Sequence, residues 1–207
     1  DSAGNLYVGT MNNGLYMIDH NKKWLNYFPK KDITCIYEDS KKSIWVGTKD
    51  DGLFRLDRNG GITNYGTAPH QNMLSSSYVR CVVEDNLGNY WIGTFKGLDK
   101  LDVTTGTFTH YSKDNKPYSL SNSSIICMMK DRQGTFWIGT YYGGVNLFNP
   151  DYEIYTYYYP DESQKGKLTS PFAGRMTEDS NGGIWIATEG GGVNYLDKKT
   201  KTFTEYK

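Results

Sequence analysis

The sequence predicts an all-β protein assembled from repeated four-stranded sheets, and three observations support this class. A ten-residue block, Asp-x-x-Gly-x-apolar-aromatic-Val/Ile-Gly-Thr, occurs five times with small departures, and its aromatic residue lies at positions 7, 45, 91, 137 and 185. A repeat period of 38 to 48 residues is typical of arrays built from one structural unit. Aromatic residues reach 15%, with 18 Tyr and 23 Gly, which suits pleated sheets joined by tight turns.

Composition also limits the partners and the class of protein. The 207 residues carry 23 basic and 23 acidic side chains, so the net charge is zero. Nucleic acid and anionic membrane surfaces attract basic proteins, and neither is expected as a partner. No apolar run is long enough to span a bilayer. Because the sequence opens inside a repeat, we expect it to be a piece of a longer protein.

Each repeat is predicted to form four strands, here called A to D. In the second repeat, Ile33–Glu38 alternates and is strand A, 43–48 is strand B, 52–57 is strand C and Ile62–Tyr65 is strand D. The first repeat has strands B, C and D only. The predicted units are 1–28 (partial), 32–66, 78–111, 124–158 and 172–207, within one region that spans 1–207.

The turn between strands A and B has a clear chemistry. Asp at its first position accepts hydrogen bonds from turn amides, and Gly at its fourth position takes a left-handed conformation. Lys42 occupies the glycine position in the second repeat. We therefore predict a positive φ at Lys42, at a cost of about 1 kcal/mol.

The glycine after each aromatic lies in the middle of strand B, where glycine is normally unfavourable. Its recurrence at Gly9, Gly47, Gly93 and Gly139 predicts that a neighbouring backbone or ring lies close. Both faces of strand B are apolar, which predicts sheets stacked face to face. Four-stranded sheets with this period and stacking are typical of the blades of a β-propeller. We expect four full blades and one three-stranded blade, which favours an arc of a larger propeller over a closed five-bladed ring.

The three cysteines are equivalent positions of successive repeats. Cys35, Cys81 and Cys127 each precede the repeat Asp by four residues. This spacing favours small buried apolar residues over a disulfide or metal site.

The repeated block with its following Gly-Leu or Gly-Val resembles the two-component regulator propeller repeat. The resemblance covers the whole chain and implies the periplasmic sensor region of a hybrid two-component (phosphorelay) histidine kinase, of a kind common in Bacteroidetes. It implies an oligosaccharide ligand derived from glycans, further blades and domains in the parent chain, a homodimeric parent, and no direct membrane contact by this region. The matching residues are structural, so the resemblance assigns no functional residue.

Candidate ligand-binding residues come from the loops, because loops vary freely on a rigid scaffold. Sugars bind to aromatic rings flanked by polar groups, and the B–C loops contain such mixtures. Two arginines on the predicted inner strands complete the set of candidates. The candidates are Asp50, Asp51, Phe95, Lys96, Tyr141, Tyr142, Glu189, Arg80 and Arg175. Ordinary hairpin tips are the alternative explanation of the loop residues. The tyrosines between 155 and 159 favour packing or a protein contact at an outer strand.

Catalysis has little support in the sequence. It contains no nucleophile elbow, phosphate loop or metal-spaced histidine cluster. His20, His70 and His110 lie in or beside loops or outer strands. We therefore expect no enzyme activity, no cofactor and no metal for this region. A protein-interaction or dimerisation scaffold is one alternative to the sensor, and a propeller lyase or glycosidase is another.

Overall fold

The structure is a computed structural model that describes residues 1–66, 72–114, 119–149, 154–161 and 166–207. The described residues form five antiparallel sheets, one of three strands and four of four strands. The first sheet contains β1 (Leu6–Gly9), β2 (Leu15–Ile18) and β3 (Trp24–Tyr27). The second contains β4 (Ile33–Glu38), β5 (Ile44–Thr48), β6 (Leu53–Leu56) and β7 (Ile62–Tyr65). The third contains β8 (Val79–Glu84), β9 (Tyr90–Thr94), β10 (Leu98–Asp102) and β11 (Thr107–Tyr111). The fourth contains β12 (Ile125–Lys130), β13 (Phe136–Thr140), β14 (Gly144–Asn149) and β15 (Ile154–Tyr158). The fifth contains β16 (Ala173–Glu178), β17 (Ile184–Thr188), β18 (Gly192–Asp197) and β19 (Thr202–Tyr206).

The predicted all-β class and the four-strand repeat are confirmed, and each sheet is a propeller blade. Strands pair in sequence order within every sheet. The described part of the chain contains no helix with the length and apolar character needed to span a bilayer. The chain divides into two compact units, residues 1–95 with 99–110, and residues 96–98 with 111–207. Apart from segment 96–98 and Tyr111, the first unit contains the first three blades and the second contains the last two.

The second strands of blades 2, 3 and 4 are buried on both faces, as their apolar composition predicts. All five residues of β5, β9 and β13 are buried. Between blades 2 and 3, Trp45 and Tyr90 belong to one apolar cluster. Between blades 4 and 5, Trp137 packs in a cluster with Ile184 and Ile186. The core is therefore formed where blades stack.

The repeat aspartate has a second partner besides its turn. Asp39 Oδ1 accepts a hydrogen bond from the Ser43 backbone N–H at 2.8 Å, as predicted for the turn. Its Oδ2 accepts one from the Trp45 indole N–H at 2.9 Å. The indole contact recurs in the three later blades, at Asp85–Trp91, Asp131–Trp137 and Asp179–Trp185. The block thus links the turn to the buried ring.

Lys42 has φ of 68°, which confirms the predicted left-handed conformation.

A backbone or a ring is expected beside the mid-strand glycines, and the structure places a thiol closest to two of them. A Cβ at Gly47 would lie 2.5 Å from Cys35 Sγ and 2.9 Å from a Val79 methyl group. A Cβ at Gly139 would lie 2.7 Å from Cys127 Sγ and 2.9 Å from the Ala173 carbonyl oxygen. No ring is among these nearest atoms, and backbone is found only at Gly139. Cys35 and Cys127 therefore fill the space beside these two glycines, and burial raises the pKa of Cys127 to about 12.

The inner strand of blades 2, 3 and 4 contains a β-bulge that periodicity did not predict. Register shifts between Val79 and Cys81 in β8, and at the corresponding positions of β4 and β12. A bulge changes the direction of a side chain in an otherwise regular strand. Arg80 is the bulged residue of β8, and the bulge therefore sets the direction of a candidate site residue.

Candidate functional site

One edge of each complete blade presents a pair of neighbouring residues that differ between copies. The first residue after strand B donates its backbone N–H to the carbonyl of the residue that precedes strand A. In the first unit these pairs are Lys49–Asp32 at 3.1 Å and Phe95–Tyr78 at 3.0 Å. In the second unit they are Tyr141–Ser124 at 2.9 Å and Glu189–Phe172 at 3.1 Å. The backbone hydrogen bond is therefore the same in each complete blade, whereas the side chains of the two paired residues differ.

In the first unit the Phe95–Tyr78 pair forms an aromatic site with Arg80. The two rings are nearly parallel, with centroids 6.3 Å apart and an angle of 12°. The Arg80 guanidinium lies 4.5 Å from the Tyr78 centroid and 5.2 Å from that of Phe95. Cation–π contacts of this kind hold the guanidinium plane in a defined place. Phe95 is half exposed, so the cluster has a solvent-accessible aromatic surface.

In the second unit three aromatic rings meet at the loop between β13 and β14. The ring centroids of Tyr142 and Phe172 are 3.9 Å apart, and those of Tyr141 and Tyr142 are 4.7 Å apart. Tyr141 lies 5.2 Å from Phe172 at an angle of 77°. Tyr141 and Tyr142 are 46% and 54% exposed, although they contact each other. We call Tyr141, Tyr142 and Phe172 the aromatic triad.

Tyr142 occupies a strained backbone conformation. Its φ is 60°, a region that a bulky side chain rarely adopts. The equivalent loop residues of blades 1 and 5 are Asn12, with φ of 64°, and Gly190, with φ of 73°. Asn and Gly tolerate this conformation, whereas tyrosine adopts it at a cost of about 1–2 kcal/mol. This strained backbone carries an exposed ring, and strained residues cluster at ligand-binding sites.

The remaining candidate residues are more dispersed. Asp51 forms a 2.7 Å ion pair with Lys31, and Asp50 is exposed next to it. Glu189 is exposed beside the triad, since its backbone bonds to Phe172. Lys96 is exposed after Phe95. Arg175 lies on β16 and is exposed, so its charge does not need a buried partner. Among the histidines and the tyrosine run, His70 and the side chain of Tyr155 lie outside the described residues.

A buried polar cluster in blade 3 was missed by the sequence reasoning. Asp99 is fully buried and accepts hydrogen bonds from the backbone N–H and hydroxyl of Ser75, at 2.8 and 2.9 Å. Its other oxygen lies 2.8 Å from His110 Nδ1. Burial raises the pKa of Asp99 against the effect of these hydrogen bonds. The Ser75 hydroxyl bonds to the carboxylate and to Thr94 rather than to His110, so this geometry has no nucleophile–base pair.

The other blades explain this cluster as structural. Asn146 and Asn194 occupy the position of Asp99, and each accepts a loop backbone N–H, from Ser121 at 2.9 Å and Thr169 at 3.1 Å. Each also donates to the hydroxyl of that loop residue. A comparison of position 99 with positions 146 and 194 in the repeats would have revealed the exchange of Asn for Asp. Within the described ranges, no group of three or more His, Cys, Asp or Glu is placed to hold a metal ion.

Comparison with known families identifies the repeats. Residues 27–50, 73–96, 119–142 and 167–190 match the family model described as two component regulator propeller. The chain therefore contains four repeats of the two component regulator propeller family. The block at Asp1–Thr10 lies outside the matched segments. A comparison with curated proteins gave no significant match.

Solved structures share the fold. The extracellular domain described as that of the hybrid two component system BT3049 from B. thetaiotaomicron aligns with 99% of the chain, at 22% identity and a TM-score of 0.81. The extracellular domain of BT4673 from the same organism aligns with 99%, at 20% identity and a TM-score of 0.62. The chain covers 28% and 36% of these two chains. A virginiamycin B lyase from Staphylococcus aureus aligns with 100% of the chain at 15% identity, with a TM-score of 0.73 and 71% of its own length covered.

Proposed function

We propose that this chain is part of the extracytoplasmic, ligand-sensing propeller region of a two-component signalling protein, and that its ligand is an oligosaccharide. The regulator propeller repeats and the similarity to extracellular domains of two component systems support the sensor assignment. The periplasm is the compartment that this assignment implies. The parent protein would be a homodimer, in which ligand binding shifts the packing of its propellers and so moves the segments nearer the membrane.

The aromatic triad is the observation that supports a sugar ligand. Exposed rings in fixed orientations offer flat surfaces for the C–H faces of a pyranose, and Glu189 provides a carboxylate beside them. The strain at Tyr142 supports a binding role, because the blade 5 counterpart, Gly190, forms the same turn at lower cost. In the first unit, Arg80 with Phe95 and Tyr78 provides a second aromatic surface for a ligand.

Titration of the 207-residue protein with a panel of glycan-derived oligosaccharides tests this proposal. We expect a saturable signal for at least one oligosaccharide, observed by calorimetry or by NMR. Tyr142→Gly should weaken that binding roughly tenfold or more, since it removes a ring from the triad. The same substitution should leave the protein at least as stable, because it relieves the left-handed strain. Tyr157→Ala is the matched control, since Tyr157 is equally exposed but lies on an outer strand.

An enzymatic function is the weaker alternative. It draws on the fold similarity to a lyase, which at 15% identity concerns the fold alone. Asp99 lies beside His110 in the first unit, but it takes the position of a structural asparagine of blades 4 and 5. Incubation of the protein with the oligosaccharide that binds, followed by chromatography of the products, should return the ligand intact.

A further inference from the structure

The first unit contains a cavity that the sensing site does not use. It has a volume of about 380 Å³ and lies between blades 1 and 2, beside the A–B turns and the turn after β6. Its buried walls include Ile44 and Leu56, with the half-buried Tyr7 beside them. Exposed polar residues, Asp1 and Arg58 among them, also line it. A cavity of this size with mixed lining is in the range of small-molecule sites.

The neighbouring pair of blades shows one way in which this position is filled. Between blades 2 and 3, Trp45 packs against Tyr90 with ring centroids 4.1 Å apart. The Tyr90 hydroxyl donates to Asp39 Oδ2 at 2.7 Å. Between blades 1 and 2 the equivalent residues are Tyr7 and Ile44. Tyr7 has a phenol where Trp45 has a larger indole, and Ile44 has a short aliphatic chain where Tyr90 has a phenol. These smaller side chains fill less of the space between the blades, and the cavity lies there.

The carboxylate next to the cavity also lacks a donor that its counterparts have. Asp39 Oδ2 accepts from both the Trp45 indole and the Tyr90 hydroxyl. Asp131 Oδ2 accepts from the Trp137 indole and from Lys198 Nζ, at 2.9 and 2.8 Å. Asp1 Oδ2 accepts one hydrogen bond among the described residues, from the Asn5 side chain at 2.9 Å. The cavity thus combines space for an aromatic ring with an acceptor whose counterparts in blades 2 and 4 each receive two donors.

We propose that this cavity binds a flat aromatic group that carries an N–H or O–H donor, that is, an indole or a phenol. The ring lies against Tyr7 and Ile44, where Tyr90 lies in the next pair of blades. The donor bonds to Asp1 Oδ2, as the Tyr90 hydroxyl bonds to Asp39. The same chemistry could come from a free small molecule or from a Trp or Tyr side chain of a peptide. The site shares no residue with the aromatic triad, so it does not depend on the proposed function.

The test uses indole as the probe and 1-methylindole as its matched control, because methylation removes the N–H donor and keeps the ring. Indole should bind saturably in NMR titrations, with shifts at Tyr7, Ile44 and Asn5, and 1-methylindole should bind roughly tenfold more weakly. N-acetyltryptophanamide, as a peptide mimic, tests the second source. Binding of this mimic with equal affinity would assign the site to a peptide side chain, and its exclusion would assign it to a free small molecule.

Two variants fill the cavity with the residues of the next pair of blades. Tyr7→Trp with Ile44→Tyr should raise the melting temperature and abolish indole binding. Ile44→Tyr alone should at least weaken binding, which keeps the test valid if the double variant folds poorly. The proposal is wrong if indole shows no saturable binding to the unmodified protein, if 1-methylindole binds equally well, or if indole binds unchanged when the cavity is filled.

Discussion

At the residue scale, positions where one copy departs from the others carry most of the information. Lys42 replaces a glycine, Tyr142 replaces a residue that tolerates positive φ, and Asp99 replaces an asparagine. Each departure has an energetic cost that the equivalent residues in other blades make measurable. A substitution that restores the residue of another blade is therefore a controlled experiment.

Lys42→Gly should stabilise the protein. A lysine with φ of 68° is strained, and glycine at this position removes about 1 kcal/mol of that strain. The melting temperature should rise by about 2–4 °C, as measured by calorimetry. Lys42→Ala loses the same charge but keeps a Cβ, so it should give no comparable rise. An unchanged melting temperature for Lys42→Gly would contradict the interpretation.

Asp99→Asn should raise stability at neutral pH more than at acidic pH. Burial raises the pKa of Asp99 when the protein folds, so its favourable contribution is present below the ordinary value of 3.8 and is lost as pH rises through the folded value. Asparagine carries no charge and can donate to Ser75, as Asn146 does to Ser121. We expect a gain on the order of 1 kcal/mol at pH 7 that shrinks toward pH 4.

The reverse substitution in blade 5 is the control for this cluster. Asn194 pairs across the sheet with Glu205 rather than with a histidine. Asn194→Asp would therefore place a buried carboxylate next to the exposed carboxylate of Glu205. Chemical denaturation should show a loss of stability at pH 7 that is larger than at pH 4. A gain at pH 7 would contradict the assigned role of this position.

At the scale of the element, blades are joined by contacts that recur from one copy to the next. Glu84 at the end of β8 accepts hydrogen bonds from the backbone N–H and hydroxyl of Ser40, both at 2.7 Å. Glu38 contacts Ser2 in the same way. Gly47 makes a second contact between blades, because Val79 of the next blade covers it together with the Cys35 thiol of its own blade. Backbone pairing within a blade and side-chain contacts between blades thus stabilise the array together.

Gly47→Ala should destabilise the first unit. The added methyl group would lie 2.5 Å from Cys35 Sγ and 2.9 Å from Val79, in a region with no free space. Overpacking of this kind costs about 1–3 kcal/mol. Cys35→Ala removes the thiol, so the double variant should recover part of the loss in urea denaturation. A double variant no more stable than Gly47→Ala would show that Val79 is the main obstacle.

At the scale of the whole molecule, the first and fifth blades each have an exposed apolar face. In blade 1, Leu6 is 59% and Val8 is 38% exposed. In blade 5, Val193 is 39% exposed. Ala187 is also exposed, whereas the equivalent residues Gly47 and Gly139 lie in buried strands. Exposed apolar faces of sheets promote association. The choice between an arc and a closed five-bladed ring stays a prediction.

The exposed faces predict concentration-dependent self-association of this 207-residue protein. Sedimentation velocity should detect species larger than the monomer as concentration rises. Val8→Lys should reduce them, since a charge on the exposed face of β1 opposes its burial. Ser180→Lys, at an exposed turn, is the control for added charge. A monomer at all accessible concentrations would contradict this prediction.

Local patterns were enough to predict the strands, the turns and the positive φ of Lys42, because these features depend on residues a few positions apart. The choice of candidate loops followed from the same repeats, since residues that differ between copies stand out against a constant background. The rotation of Arg80 by a bulge and the meeting of Tyr142 with Phe172 depend on contacts between distant segments. Periodicity carries no information about such contacts.

The sequence by itself determined that this protein is an array of β-propeller blades, because every copy repeats the same turn, buried ring and glycine. Only the tertiary structure decided which groups face each other: a thiol above Gly47, a phenol on Asp39, and a cavity where Tyr7 and Ile44 replace larger rings. The reason is physical. Backbone hydrogen bonding within a blade is specified locally, whereas the space between blades depends on side chains from both.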